Sequence, residues 1–165
     1  MHDALVVAQD EQCKMNVYEA SLVYNKTLFE VSTKVINTPE KVVEYFRDVP
    51  EQYPYQETLW VLLLDNKSHA LFRIMCTKGT LTSSLVSPRE VFTPALLSGA
   101  ASVVAMHHHP SGDPSPSSAD LTVTRALREA GNVLAIPLVD HVILGCKDMD
   151  PAGKGYYSFR EAGLL

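Results

Sequence analysis

The sequence predicts one α+β (mixed α/β) domain over its 165 residues, a mixed β-sheet flanked by helices. Three observations predict it. Capped helical patterns and short apolar runs of strand length interleave along the chain without strict βαβ alternation, and nothing repeats at a fixed period. A chain of 165 residues that is 46% hydrophobic and 20% charged also suits a single buried core.

The elements follow in order. Residues 17–24, VYEASLVY, alternate as an edge strand does, inside an N-terminal extension of residues 1–30. In NTPEKVVEYFRDV, Thr38 takes the N-cap, Pro39 the first helical position, and Val42, Val43, Phe46 and Val49 recur at helical spacing. This predicts a helix over 39–49, closed by Pro50 and Pro54. ETLWVLLLD and HALFRIMC, two apolar runs around the turn-like DNKS, predict a β-hairpin. In SPREVFTPALL, Ser87, Pro88 and Glu90 have capping-box spacing and Val91, Ala95 and Leu96 can face a core, so a second helix starts there, kinked or shortened at Pro94. ASVVAMHHH reads as a buried strand that turns polar at its end. SSADLTVTRALREAG opens on cap residues, repeats Leu121, Thr124 and Leu127 on one face, and meets a helix stop at Gly131. VLAIPLVDHVILG predicts one long strand or two short ones, and SFREAG a terminal helical turn with a Ser158/Glu161 box.

Composition excludes several functions. Fourteen Lys and Arg against 19 Asp and Glu leave a net charge of -5, so the clustered positive charge that duplex binding needs is missing and no nucleic-acid partner is expected. Cys13, Cys76 and Cys146 are odd in number and form no CxxC pair, which speaks against a disulfide framework or a thiolate zinc site and suits buried reduced thiols. The N-terminus has no basic region ahead of an apolar stretch, and no apolar run approaches the ~20 residues of a membrane span, so a cytoplasmic protein with no membrane partner is expected. There is no G-x-S-x-G, and no Cys adjoins the histidines, which weakens serine or cysteine nucleophilic catalysis.

The chemistry concentrates in HHHPSGDPSPSSAD, residues 107–120. On an extended segment His107 and His109 project to one side and His108 to the other. Asp120 follows a Pro/Gly loop and can fold back over the strand end on the first turn of the next helix. Two imidazoles and one carboxylate would then suit zinc with a fourth position for water. A second reading stands beside it: Ser117 and Asp120 are also the S-x-x-D of a helix start, and neighbouring histidines can be ordinary polar residues facing solvent.

The string H-x-H-P, six residues, then S-x-x-D resembles the JAMM metalloprotease motif of the JAB/MPN domain. The stretches KGTLTSSLVSPREVF, HPSGDPSPSSADLTVTRAL, LVDHVILG and YSFREAGLL are similar to RadC-like proteins, so the resemblance covers residues from about 38 to 165. It implies a cytidine-deaminase-like fold, a Zn2+ cofactor held by His107, His109 and Asp120, and Ser117 donating a hydrogen bond to the developing oxyanion. It also implies a glutamate general acid/base ahead of a strand. Glu57 precedes TLWVLLL in the family's order, whereas Glu90 already has a capping-box explanation, so Glu57 is the choice. Asp140 or His141 could orient a ligand imidazole, or serve hydrogen bonds in the core. The family usually has Asn, Ser or Thr where this chain has His108, which leaves open a ligand set using His108. None of these stretches matches the helix-hairpin-helix segment that longer RadC proteins carry, so the resemblance leads to the expectation of a stand-alone short form.

The implied function is zinc-dependent hydrolysis of an amide bond in a peptide or isopeptide-linked protein, with water activated at the metal and Glu57 as general base. The alternatives are a non-catalytic MPN-type interaction module and a DNA-repair-associated protein, the latter opposed by the acidic balance. An edge strand over 17–24 could pair two copies into a homodimer.

Overall fold

The computed structural model describes residues 35–79 and 86–165; the strand expected over 17–24 lies outside them. The elements run α1 (Pro39–Tyr45), α2 (Val49–Gln52), β1 (Thr58–Leu64), β2 (Ala70–Lys78), α3 (Pro88–Ser98), β3 (Ser102–His108), α4 (Ser118–Leu134), β4 (Leu138–Leu144) and β5 (Tyr156–Ser158). One five-stranded sheet has the order β2-β1-β3-β4-β5, with β3 and β4 parallel and every other pair antiparallel. This is the mixed sheet that the sequence predicts.

β1 explains itself from TLWVLLL: each of its seven residues is buried, because the strand has a neighbour on both edges and a helical layer on both faces. Leu59, Val61 and Leu63 pack with Val91, Phe92 and Ala95 of α3 and Val123 and Leu127 of α4. Trp60, Leu62 and Leu64 point the other way, toward Val42, Phe46 and Val49. Three layers result, α/β/α, with the sheet in the middle.

The expected helix over 39–49 is two short helices. The chain breaks at Phe46–Asp48, where Phe46 is driven fully into the core and the Asp48 carboxylate takes both ends of the Arg73 guanidinium, at 2.8 and 2.9 Å. Pro50 then sits in the first turn of α2 instead of closing a helix, a place where its missing N–H costs nothing. Ser87 caps α3 by accepting from Arg89 N rather than through a reciprocal box with Glu90, and Pro94 lies inside the helix without ending it.

Gly131 does not end α4, which continues to Leu134 and closes on Ala135 in the left-handed region. Its hydrogen serves close packing: a Cβ there would meet the Ile136 carbonyl oxygen at 2.6 Å and Phe92 at 3.1 Å. The C-terminal SFREAG forms the expected single turn, with Ala162 N bonded to the Ser158 carbonyl and Ser158 Oγ accepting from Glu161 N, while the Ser158 hydroxyl hydrogen goes to Asp140. Cys146 is exposed, contrary to the buried reading. Cys76 is half-buried, and burial pushes its thiol up to about 12. Among the described residues no helix is long and apolar enough to cross a membrane.

Candidate metal centre

Topology brings the site together at one end of the sheet. β1 runs antiparallel to β3 with Leu59 opposite His107, so Glu57, one residue ahead of β1, stands beside the end of β3. The β3–α4–β4 crossover returns the first turn of α4 over the same end, carrying Asp120. The pleat separates the histidines: His107 is buried on the α4 side, and His108 turns to the opposite face, with Nδ1 3.2 Å from Thr58 Oγ1 and Nε2 2.8 Å from the Tyr53 carbonyl oxygen. His108 is thereby removed from any ligand set with its neighbours.

His107, His109 and Asp120 converge. The two Nε2 atoms are 3.0 Å apart, His107 Nε2 is 3.2 Å from Asp120 Oδ1, and His109 Nε2 is 3.7 Å from Asp120 Oδ2. One ligand atom from each lies within 4.8 Å of the others. His109 Nδ1 is 2.7 Å from the Asp113 carbonyl oxygen, which can only accept, so Nδ1 carries a proton and, in the neutral ring that a metal ligand requires, Nε2 carries the lone pair. Two imidazole nitrogens and a carboxylate aimed at one point form a donor set suited to a divalent metal of the zinc type. Glu57 Oε1 is 3.9 Å from His109 Nε2, and a cavity of about 460 Å³ lined by Tyr55, Gln56, Glu57, Gly79 and Pro110 opens beside it. Glu90 is exposed in the first turn of α3.

The two readings of Ser117 and Asp120 turn out to be compatible. Asp120 Oδ2 accepts from Ser117 N at 2.7 Å and from the Ser117 hydroxyl at 2.6 Å, while Asp120 N donates to Ser117 Oγ, a complete capping box. Oδ1 is left facing His107. The Ser117 hydroxyl hydrogen is thus directed at Asp120 in this arrangement.

The loop between β3 and α4 is clamped to β4. His109 N donates to the Leu144 carbonyl at 2.9 Å and Cys146 N to the Gly112 carbonyl at 2.7 Å. Gly145 permits this approach, since a Cβ there would meet Gly112 O at 2.4 Å.

Electrostatics follow from the crowding. Burial penalises the Asp120 charge, yet in the metal-free site the imidazoles of His107 and His109, whenever they are protonated on the side facing it, and the Ser117 hydroxyl outweigh that penalty and hold the carboxyl well below the usual range. Burial pushes His107 down, against the pull of Asp120. For His109 burial acts downward too, but Asp120, the Asp113 carbonyl and Glu57 prevail and raise it.

Of the D–H pair on β4, His141 reaches the site. Its Nε2 is 2.9 Å from His107 Nδ1 and its Nδ1 is 2.6 Å from Thr124 Oγ1. Asp140 instead ties β4 to the C-terminal turn, accepting from the Ser158 hydroxyl, His141 N and Arg160 N. Sequence reasoning took Thr124 only for a core-facing helix position; a hydroxyl on that face, four residues after Asp120, was the available signal. The Asp113 carbonyl left no signal, because any residue type supplies one.

An α/β/α domain whose strand end and helix start gather His-x-His and Asp beside a glutamate is a JAB-type fold with a side-chain group that could hold a metal ion. The family model for the RadC-like JAB domain matches residues 36–164, and the chain belongs to that family. It is 39% identical over 145 residues to a UPF0758 protein of Geobacter sulfurreducens, covering 86% of this chain and 58% of that one. With a UPF0758 protein of Listeria monocytogenes it shares 44% identity over 125 residues, 74% of this chain and 55% of the other. One from Trichlorobacter lovleyi is 46% identical over 110 residues, 67% and 45%. The chain spans about half the length of the curated relatives it matches.

Proposed function

We propose that this domain is a zinc-dependent hydrolase that cleaves an amide bond in a peptide or an isopeptide-linked protein. The observation that carries the reading is the convergence of His107, His109 and Asp120 with Glu57 beside them at the mouth of a cavity. His107 Nε2, His109 Nε2 and a carboxylate oxygen of Asp120 would hold the metal. A zinc ion bound there would supply Lewis acidity, lowering the pKa of its bound water toward about 7 and polarising a carbonyl. Glu57 takes the proton of the attacking water on Oε1 and returns it to the leaving amine. Ser117 steadies the developing oxyanion once its hydroxyl turns from Asp120. The cavity lined by Tyr55, Gln56 and Pro110 receives the substrate chain next to the glutamate.

The test begins with metal content. Purified protein should carry about one zinc per chain, and His107→Ala and Asp120→Ala should lose it; metal content unchanged by both substitutions sinks the proposal. Glu57→Gln should keep the metal and lower cleavage of a peptide and isopeptide library by about 10²- to 10⁴-fold, the usual contribution of a general acid/base. A Glu57→Gln protein indistinguishable from the parent would favour a non-catalytic module instead.

A further inference from the structure

We infer that Thr124 and His141 are positioning residues, whose hydrogen bonds force His107 to present the lone pair of Nε2 to the metal. The inference rests on the reading of His107, His109 and Asp120 as ligands, and it adds two residues that touch neither the metal nor the substrate.

The direction of each bond follows from counting hydrogens. Thr124 Oγ1 lies 2.6 Å from the Asp120 carbonyl oxygen. Two oxygens at that distance need a hydrogen between them, and a carbonyl has none to give, so Thr124 donates. Its single hydroxyl hydrogen is then used. The contact of 2.6 Å from Thr124 Oγ1 to His141 Nδ1 must therefore take its hydrogen from the ring, which puts the His141 proton on Nδ1. His141 is fully buried and stacked at 4.9 Å on Phe159, surroundings that favour the neutral ring, so Nε2 is bare. Across the remaining 2.9 Å the hydrogen comes from His107 Nδ1. With Nδ1 holding the hydrogen, the neutral ring that a metal ligand must be has its lone pair on Nε2, 3.2 Å from Asp120 Oδ1.

The circuit starts on the main chain of one ligand, Asp120, and ends on the ring of another. It depends on the register of β4: the shift between Val103 and Val104 skips Val139, which brings His141, and not Asp140, beside Ala105 on the α4 side of the sheet. His109 meets the same requirement by a shorter route, through the Asp113 carbonyl.

Two measurements test this. In metal-free protein, long-range proton–nitrogen NMR of the imidazoles should find the His141 proton on Nδ1 with Nε2 bare; a proton on His141 Nε2 overturns the inference. Competition titration of zinc against a chromophoric chelator should then find affinity reduced about tenfold or more in Thr124→Val, as is usual when an outer partner of a ligand histidine is lost, and restored to within about twofold in Thr124→Ser. A Thr124→Val protein that binds zinc as the parent does, or a Thr124→Ser protein as weak as Thr124→Val, also overturns it. The hydrolase reading fails separately, if the parent takes up no zinc, and the NMR result on His141 then decides the inference alone. That spectrum comes from the unsubstituted protein, so misfolding of a variant does not remove the test.

Discussion

Three consecutive histidines meet three environments. His107 is enclosed on the α4 side, His108 is buried on the opposite face between Thr58 and the Tyr53 carbonyl, and His109 stands half-buried, 3.9 Å from the Glu57 carboxylate. Only the outer two can serve one cation, because a strand sends neighbouring side chains to opposite faces. His108→Asn should therefore leave zinc content unchanged while lowering stability by about 1–2 kcal/mol, the loss expected when buried hydrogen-bond partners are stripped of their bonds. Metal analysis and urea denaturation of the same preparation check both halves. The parity of His107 and His109 was legible from spacing alone, and so was the reach of Asp120. Which of Asp140 and His141 reaches His107 was not, because that depends on a strand register that local sequence does not encode.

The elements carry the next lesson, and α4 carries most of it. Its start was readable from Ser117 and Asp120, but its end was misread, because glycine at a helix stop and glycine at a close contact look alike in sequence. The two differ in what substitution does. Gly131→Ala raises helix propensity by up to about 1 kcal/mol, but the added Cβ meets a backbone oxygen at 2.6 Å that cannot swing aside. A net loss of about 1–2 kcal/mol in denaturant unfolding is expected, because overpacking costs more than propensity returns. If Gly131 were merely a terminator, alanine would be neutral or stabilising. The break between α1 and α2 was illegible for a related reason: the Arg73 that holds Asp48 comes from β2, 25 residues on.

At the scale of the molecule, the layers were readable from β1, whose unbroken apolar run requires cover on both faces. The order of the strands was not, since pairing partners are chosen by contacts distant in sequence. One such contact ties the α1 layer to the far edge of the sheet: Tyr156 donates to Glu40 Oε1 at 2.6 Å. That bond first, and then one from Thr38, lowers the Glu40 carboxyl from 4.5 to about 2. A carboxyl lowered by folding adds stability that is full above its unfolded pKa and is lost as pH falls toward its folded one. Glu40 is exposed, so the gain at neutral pH is about 0.5–1 kcal/mol after solvent screening. Tyr156→Phe should be less stable than the parent by that amount near pH 6, and urea midpoints should converge as the pH falls from about 4.5 to about 2. A gap that stays constant over this window would show that the bond is not coupled to the carboxylate.

The clamp between the β3–α4 loop and the end of β4 has a consequence for how an ion arrives. Its two bonds join backbone atoms only, so neither needs an ion to form. For the metal proposed above, the ligands would then be preorganised, and their fixed spacing, more than any closing motion, would select which cations fit.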